Sequence, residues 1–131
     1  MVKQYEIDQI IEQHFIDNWS NGVQYYFMNA PIPQELPSEY INVLSFADDR
    51  VNNTLTKSRS FCSLVAEVRT PLRKGDRRAM VLASEFEDIF ENKDIQGIHF
   101  NEAVPNKIDG QDHFGVNVII SYDWDSNMVI A

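Results

Sequence analysis

Residues 61–90 read FCSLVAEVRTPLRKGDRRAMVLASEFEDIF, and both of the periodicities that build the fold lie within them. From Phe61 to Thr70 the side chains alternate, with Phe61, Ser63, Val65, Glu67 and Arg69 on one side and Cys62, Leu64, Ala66, Val68 and Thr70 on the other. Successive side chains of a strand point to opposite faces, so this is a long strand and the second set is its core face. Pro71 and Gly75 bracket a turn, and Asp76 is placed to accept hydrogen bonds from the first free amides of a helix. Ala79, Leu82, Ala83, Phe86, Ile89 and Phe90 then recur at helical spacing, with Glu85, Glu87, Asp88 and Glu91 on the opposite face.

Upstream, Ile7, Ile10, Ile11 and Phe15 recur at three- and four-residue spacing and predict an amphipathic helix from about residue 3 to about residue 18, left at Asn21-Gly22. Val23 to Phe27 is rich in β-branched and aromatic residues and reads as a strand. It runs into Asn29-Ala30-Pro31-Ile32-Pro33, whose prolines oppose both helix and central-strand bonding. Tyr40 to Phe46 is a second strand. Downstream of the second helix, Gly97 precedes a short strand from Ile98 to Val104, Pro105 to Gly110 is a turn-rich connection, and Val116 to Tyr122 is a last strand before Trp124. Between Ala47 and Ser60 no periodic apolar face occurs, and a polar loop of that length is expected to be mobile in the monomer and to order on a neighbour.

The order helix, two strands, loop, strand, helix, two strands predicts an α+β fold: a mostly antiparallel sheet of four to five strands with two helices packed on one face. The other face is left for partners. With 131 residues and 44% hydrophobic composition, the chain fits one domain over residues 1–131 with a single core. Cys62 is the lone cysteine, so no internal disulfide forms and a reducing compartment suits the chain. Met1 to Glu6 lacks the apolar stretch of a signal peptide, and no apolar run has the length of a membrane span, so neither export nor a membrane is expected.

Charge is unevenly distributed. Residues 1–49 carry −7, residues 50–78 carry +6 and residues 79–131 carry −8, within a total of −9. Two readings follow: a folded monomer that mixes these segments over a solvated surface, or two opposed faces suited to head-to-tail contact between identical copies. The basic residues Arg50, Lys57, Arg59, Arg69, Arg73, Lys74, Arg77 and Arg78 are the candidate subunit or partner interface. Arg73, Lys74, Arg77 and Arg78 crowd the start of a helix, where cations oppose the macrodipole, so another group must compensate them. A net charge of −9 disfavours a free-standing nucleic-acid binder and favours acidic protein surfaces as partners, a neighbouring copy included.

Catalytic chemistry is not visible. The chain has no Gly-x-Ser-x-Gly elbow, phosphate-binding loop or dinucleotide fingerprint. Cys62 falls on a core face, where a cysteine is an inert small hydrophobe. His14, His99 and His113 do not show the spacing of zinc ligands on a helix, and Asp109 to His113 lacks the acid ladder of a calcium loop. No enzyme activity, cofactor or metal is expected.

The layout resembles the tail terminator family of long-tailed phages. The likeness is carried by the opening helix, the Trp19 region, the strand leading into Asn29-Ala30-Pro31-Ile32-Pro33, and the strand Tyr40 to Phe46. It continues through the Arg59-led strand ending at Pro71-Leu72-Arg73-Lys74-Gly75, the helix to Phe90, Gly97-Ile98-His99-Phe100 and the terminal strand. The chain departs from the family at Phe114, where a Trp commonly opens the last strand, which leaves a sister neck protein open as well. The resemblance implies a non-enzymatic virion subunit, assembled in the host cytoplasm. Its copies would form a ring of six that closes the tail tube and meets the head–tail connector, with DNA passing through an acid-lined lumen without specific binding. From another class, an acidic cytoplasmic inhibitor or immunity protein that binds a basic toxin fits the same charge.

Overall fold

The computed structural model describes residues 2–27, 37–47, 59–71, 75–109, 113–125 and 127. Two helices and six strands follow in the order α1 (Gln4–Asn18), β1 (Gln24–Phe27), β2 (Tyr40–Ala47), β3 (Arg59–Pro71), α2 (Gly75–Phe90), β4 (Asp94–Ile95), β5 (Ile98–Asp109) and β6 (His113–Asp125). The fold is α+β, as expected. The sheet differs from expectation: it has six strands in the order β1-β2-β3-β6-β5-β4, and it is mixed, with β1 and β2 parallel and the other pairings antiparallel.

The parallel pair follows from connection length. Twelve residues, 28–39, separate β1 from β2. That is about the dozen a crossover needs to bring the chain back to the same end of the sheet, whereas a tight turn would have forced the antiparallel pairing expected. The sixth strand is β4, two residues too short to show a period, paired through Asp94 with His99 and Ile95 with Ile98. Gln96 and Gly97, at φ 49° and 90°, supply the left-handed turn that joins it to β5.

β5 also runs beyond its expected end, straight through Pro105. The amide of Ala103 turns out of the sheet to Glu91 Oε2 at 2.8 Å. Strand amides alternate in direction, so residue 105 also faces outward, and a proline there forfeits no bond to β6. Of the segment expected to be a mobile loop, Ala47 ends β2 and Arg59 and Ser60 begin β3, while residues 48–58 lie outside the described residues. The helix α2 starts at Gly75, so Asp76 falls inside its first turn and not ahead of it.

One face of the sheet is buried. On β3, Cys62, Leu64, Ala66, Val68 and Thr70 are buried and the alternate residues are not, as the alternation predicts. Val116, Val118, Ile120 and Tyr122 of β6 continue this face, and Ile7, Ile11 and Phe15 of α1 with Leu82, Phe86 and Phe90 of α2 share its core. Phe15 lies against Trp19, Tyr25, Phe27 and Phe86 with ring centroids 5.0–6.0 Å apart, within the range of favourable aromatic pairs. The turn after α1 is held by Trp19 Nε1 donating to Val23 O at 3.0 Å and by Gly22 at φ 81°.

Candidate functional site

The face of the sheet away from the helices is the principal unassigned surface. Strand register sets side chains of neighbouring strands abreast in rows, and three rows define it. Leu44, Val65, Ile119 and Val104 form an apolar row across four strands. Beside it run Asn42, Glu67, Asn117 and Asn106, and then Tyr40, Arg69, Gly115 and Ile108. Among the described residues, Phe46, Phe61, Val104 and Ile108 are large hydrophobic side chains left exposed on this face.

Several polar groups on the face are tied down, while the buried Asn42 Oδ1 has no hydrogen-bond partner. Arg69 Nη1 donates to Asn117 Oδ1 at 2.9 Å and to Val68 O at 2.9 Å, while Asn42 Nδ2 donates to Glu67 Oε1 at 3.1 Å. At the other end, Arg59 is paired with Asp123, a carboxylate only 8% exposed, through Nε at 2.8 Å and through Nη2. A buried carboxylate is tolerated only with such a partner. Next to Asp123 in register is His99, whose Nδ1 lies 2.6 Å from Asp94 Oδ1. That hydrogen bond raises the imidazole above its ordinary 6.5, with help from the charges of Asp94 and Asp123.

The basic residues expected to form an interface are therefore dispersed. Arg59 and Arg69 lie at opposite ends of β3, and Arg78 of α2 is 3.1 Å from Glu39. Each of the three is engaged by an acid of its own chain, which is the mixing that the first reading of the charge blocks anticipated. Arg77 is exposed on the first turn of α2. Arg50, Lys57, Arg73 and Lys74 lie outside the described residues.

Acids, by contrast, crowd one another on the helices. Asp8 and Glu12 are one turn apart on α1, and Glu87 and Glu91 are so spaced at the end of α2. Partial burial first, then Asp8, raises the Glu12 carboxyl; burial first, then Glu91 and Asp88, raises that of Glu87. Arg77 and Arg78 follow Asp76 in the first turn of α2 and carboxylates close it, so the charges at its C-terminal end oppose its own dipole. Lys93 repairs part of this by donating its ammonium to Asp88 O near the last turn.

His14 and Cys62 are occupied structurally. His14 Nε2 lies 3.1 Å from Ile89 O and fastens α1 to α2, and Cys62, 1% exposed, reaches Gln4 Oε1 at 3.6 Å. Tyr122 OH sits beside them, bonded to Ser45 Oγ and receiving Gln4 Nε2 at 3.1 Å, and burial pushes its phenol upward. Among the described residues no three His, Cys, Asp or Glu side chains gather as metal ligands, and no helix is long and apolar enough to cross a membrane. A crevice between α1 and β2, lined by Asp8, Glu12, Phe27, Val43 and Leu64, has a volume of about 30 Å³, enough to admit water.

Sequence reasoning missed the apolar row and the bond of Arg69 to Asn117. Alternation indicates which face a residue is on. It does not indicate which residue of another strand stands beside it, because that depends on register.

No family model matches the chain, and no curated protein matches it. A solved structure whose title states no function is similar in fold, with a TM-score of 0.69 over 95% of this chain and 96% of its own, at 14% identity. A likeness at that identity concerns the fold alone.

Proposed function

We propose that the chain is a non-enzymatic structural subunit of a long-tailed phage virion. It would be a tail terminator whose copies form a ring of six that caps the tail tube and joins it to the head–tail connector. The observation that carries this reading is the charge order of α2, with the exposed Arg77 in its first turn and Glu87, Asp88 and Glu91 at its end. The acidic end set against the dipole costs about 0.3–1 kcal/mol. Head-to-tail contact sets the Arg77 end of one α2 beside the acidic end of the next and relieves it.

The crowded acids favour the same reading. Glu12 and Glu87 are raised first by partial burial and then by neighbouring carboxylates, and a basic neighbour would offset the second cause. Acidic surface left over suits a lumen through which DNA slides without adhering. The same excess suits an acidic inhibitor of a basic toxin, which would act as a monomer.

Negative-stain imaging of concentrated protein, alone and with polymerised tail tubes, tests the proposal. Rings or capped tube ends are expected, and Arg77→Glu should reduce them. Uncapped tubes together with a tight one-to-one complex with a basic protein would replace this reading by the inhibitor.

A further inference from the structure

We propose that the open sheet face is a self-docking surface, taken in the free protein by a second copy related by a two-fold axis along the row Leu44, Val65, Ile119 and Val104. The amount of apolar surface points first to an occupant. Phe46, Phe61, Val104 and Ile108 are 37–54% exposed and all stand on this face. Register sets them in four different rows, linked across the sheet by the half-buried Leu44, Val65 and Ile119, and apolar side chains so exposed on one face suit an interaction site. Four long strands at ~4.8 Å spacing and ten residues at ~3.3 Å cover roughly 600 Å² in projection. Two such faces bury roughly 1,200 Å², above the ~1,000 Å² that a specific interface clears.

The arrangement about the row selects a second copy. A two-fold axis along the row reverses strand direction while keeping each strand over its equivalent, as in aligned sheet packing. Val65 then meets Val65 and Ile119 meets Ile119, so the apolar row closes on itself. On β6, Gly115 and Asp123 lie four residues to either side of Ile119. Each therefore falls opposite the other in the copy. The Arg69 guanidinium lies over Gly115, where a Cβ would come within 2.9 Å of Nη1. It is thereby presented to the Arg59–Asp123 pair of the copy, and the symmetry makes this contact twice. The middle row faces serines: Glu67 and Asn117 lie opposite Ser63 and Ser121. A polyanion or an anionic membrane would instead need a uniformly basic face, and this one holds Asp94, Asp123 and Asp125 at one end.

Such a contact uses one patch on both copies and closes at two, so it describes the free chain and is separate from the head-to-tail ring contact. Sedimentation velocity of the full chain over a concentration series is expected to give a species of twice 15.2 kDa. Ile119→Lys places two ammonium groups at the centre of the contact and should raise dimer dissociation at least about thirtyfold. Ile119→Cys should be captured as a dimer by a short bismaleimide, whereas Val81→Cys, on the exposed side of α2, should not. A wild-type chain that is monomeric throughout, or equal capture at positions 81 and 119, would overturn the proposal even if Ile119→Lys fails to fold. Rings without dimers would retain the ring reading and remove this one; dimers without rings would do the reverse.

Discussion

Arg69 lies across Gly115, so that a methyl group at position 115 would stand 2.9 Å from its guanidinium Nη1 and 3.2 Å from its Cδ. Only a residue without a Cβ lets this arginine lie flat and reach Asn117 Oδ1. Gly115→Ala should therefore change sign with its background. In the wild type it displaces Arg69 and costs about 0.5–1.5 kcal/mol through the lost hydrogen bond. In Arg69→Ala those close contacts are gone and the methyl stabilises by about 0.5–1 kcal/mol, because alanine loses less backbone freedom than glycine. Chemical denaturation of the four proteins of this cycle measures it; additive effects would mean that the two residues do not interact.

His99 titrates above its ordinary 6.5, chiefly through its hydrogen bond to Asp94. The folded value exceeds the unfolded one, so the stabilisation is complete below about 6.5 and is lost as pH rises through the folded value. Asp94→Asn should lower the titration midpoint of the His99 ring in NMR and flatten the pH dependence of stability in that window. An unchanged midpoint would show that the carboxylate is not its partner.

Glu12 and Glu87 are raised above 4.5 by burial and by neighbouring carboxylates. A raised carboxyl contributes stability below its unfolded value and loses it as pH rises through the folded one. Glu87→Gln should therefore raise the melting temperature at neutral pH, and the gain should vanish below pH 4.5. A gain that persists in acid would have another origin.

Tyr122, 1% exposed, holds Ser45 and Gln4 together beneath α1. Tyr122→Phe should cost about 0.5–1.5 kcal/mol, because the half-buried Ser45 loses this partner while Gln4 keeps Asp8. Phe86→Ala, a cavity in the aromatic core, should cost about 3–5 kcal/mol. Urea unfolding followed by tryptophan fluorescence, which reports Trp19 and Trp124, orders the two; equal losses would argue against a cavity-dominated core.

Much of the fold was legible because its signals are local. The alternation Cys62 to Thr70 and the stripe Ala79 to Phe90 each specify an element and a buried face without reference to the rest of the chain. What escaped depends on distant partners. β4 is too short to carry a period, β5 passes through Pro105 because its outer edge is bordered only by β4, and the twelve residues 28–39 carry the chain back into a parallel pairing. Of the basic residues, the cluster was visible, but not the pairing of Arg59 with Asp123 and of Arg78 with Glu39, which are 64 and 39 residues away in sequence.

Self-association is the central claim, and native mass spectrometry of the purified chain over a concentration series tests it most directly. The account predicts masses at multiples of 15.2 kDa that grow with concentration, with the sixfold species enriched by tail tubes and diminished by Arg77→Glu. A single 15.2 kDa species at every concentration, with tubes or without, would contradict it.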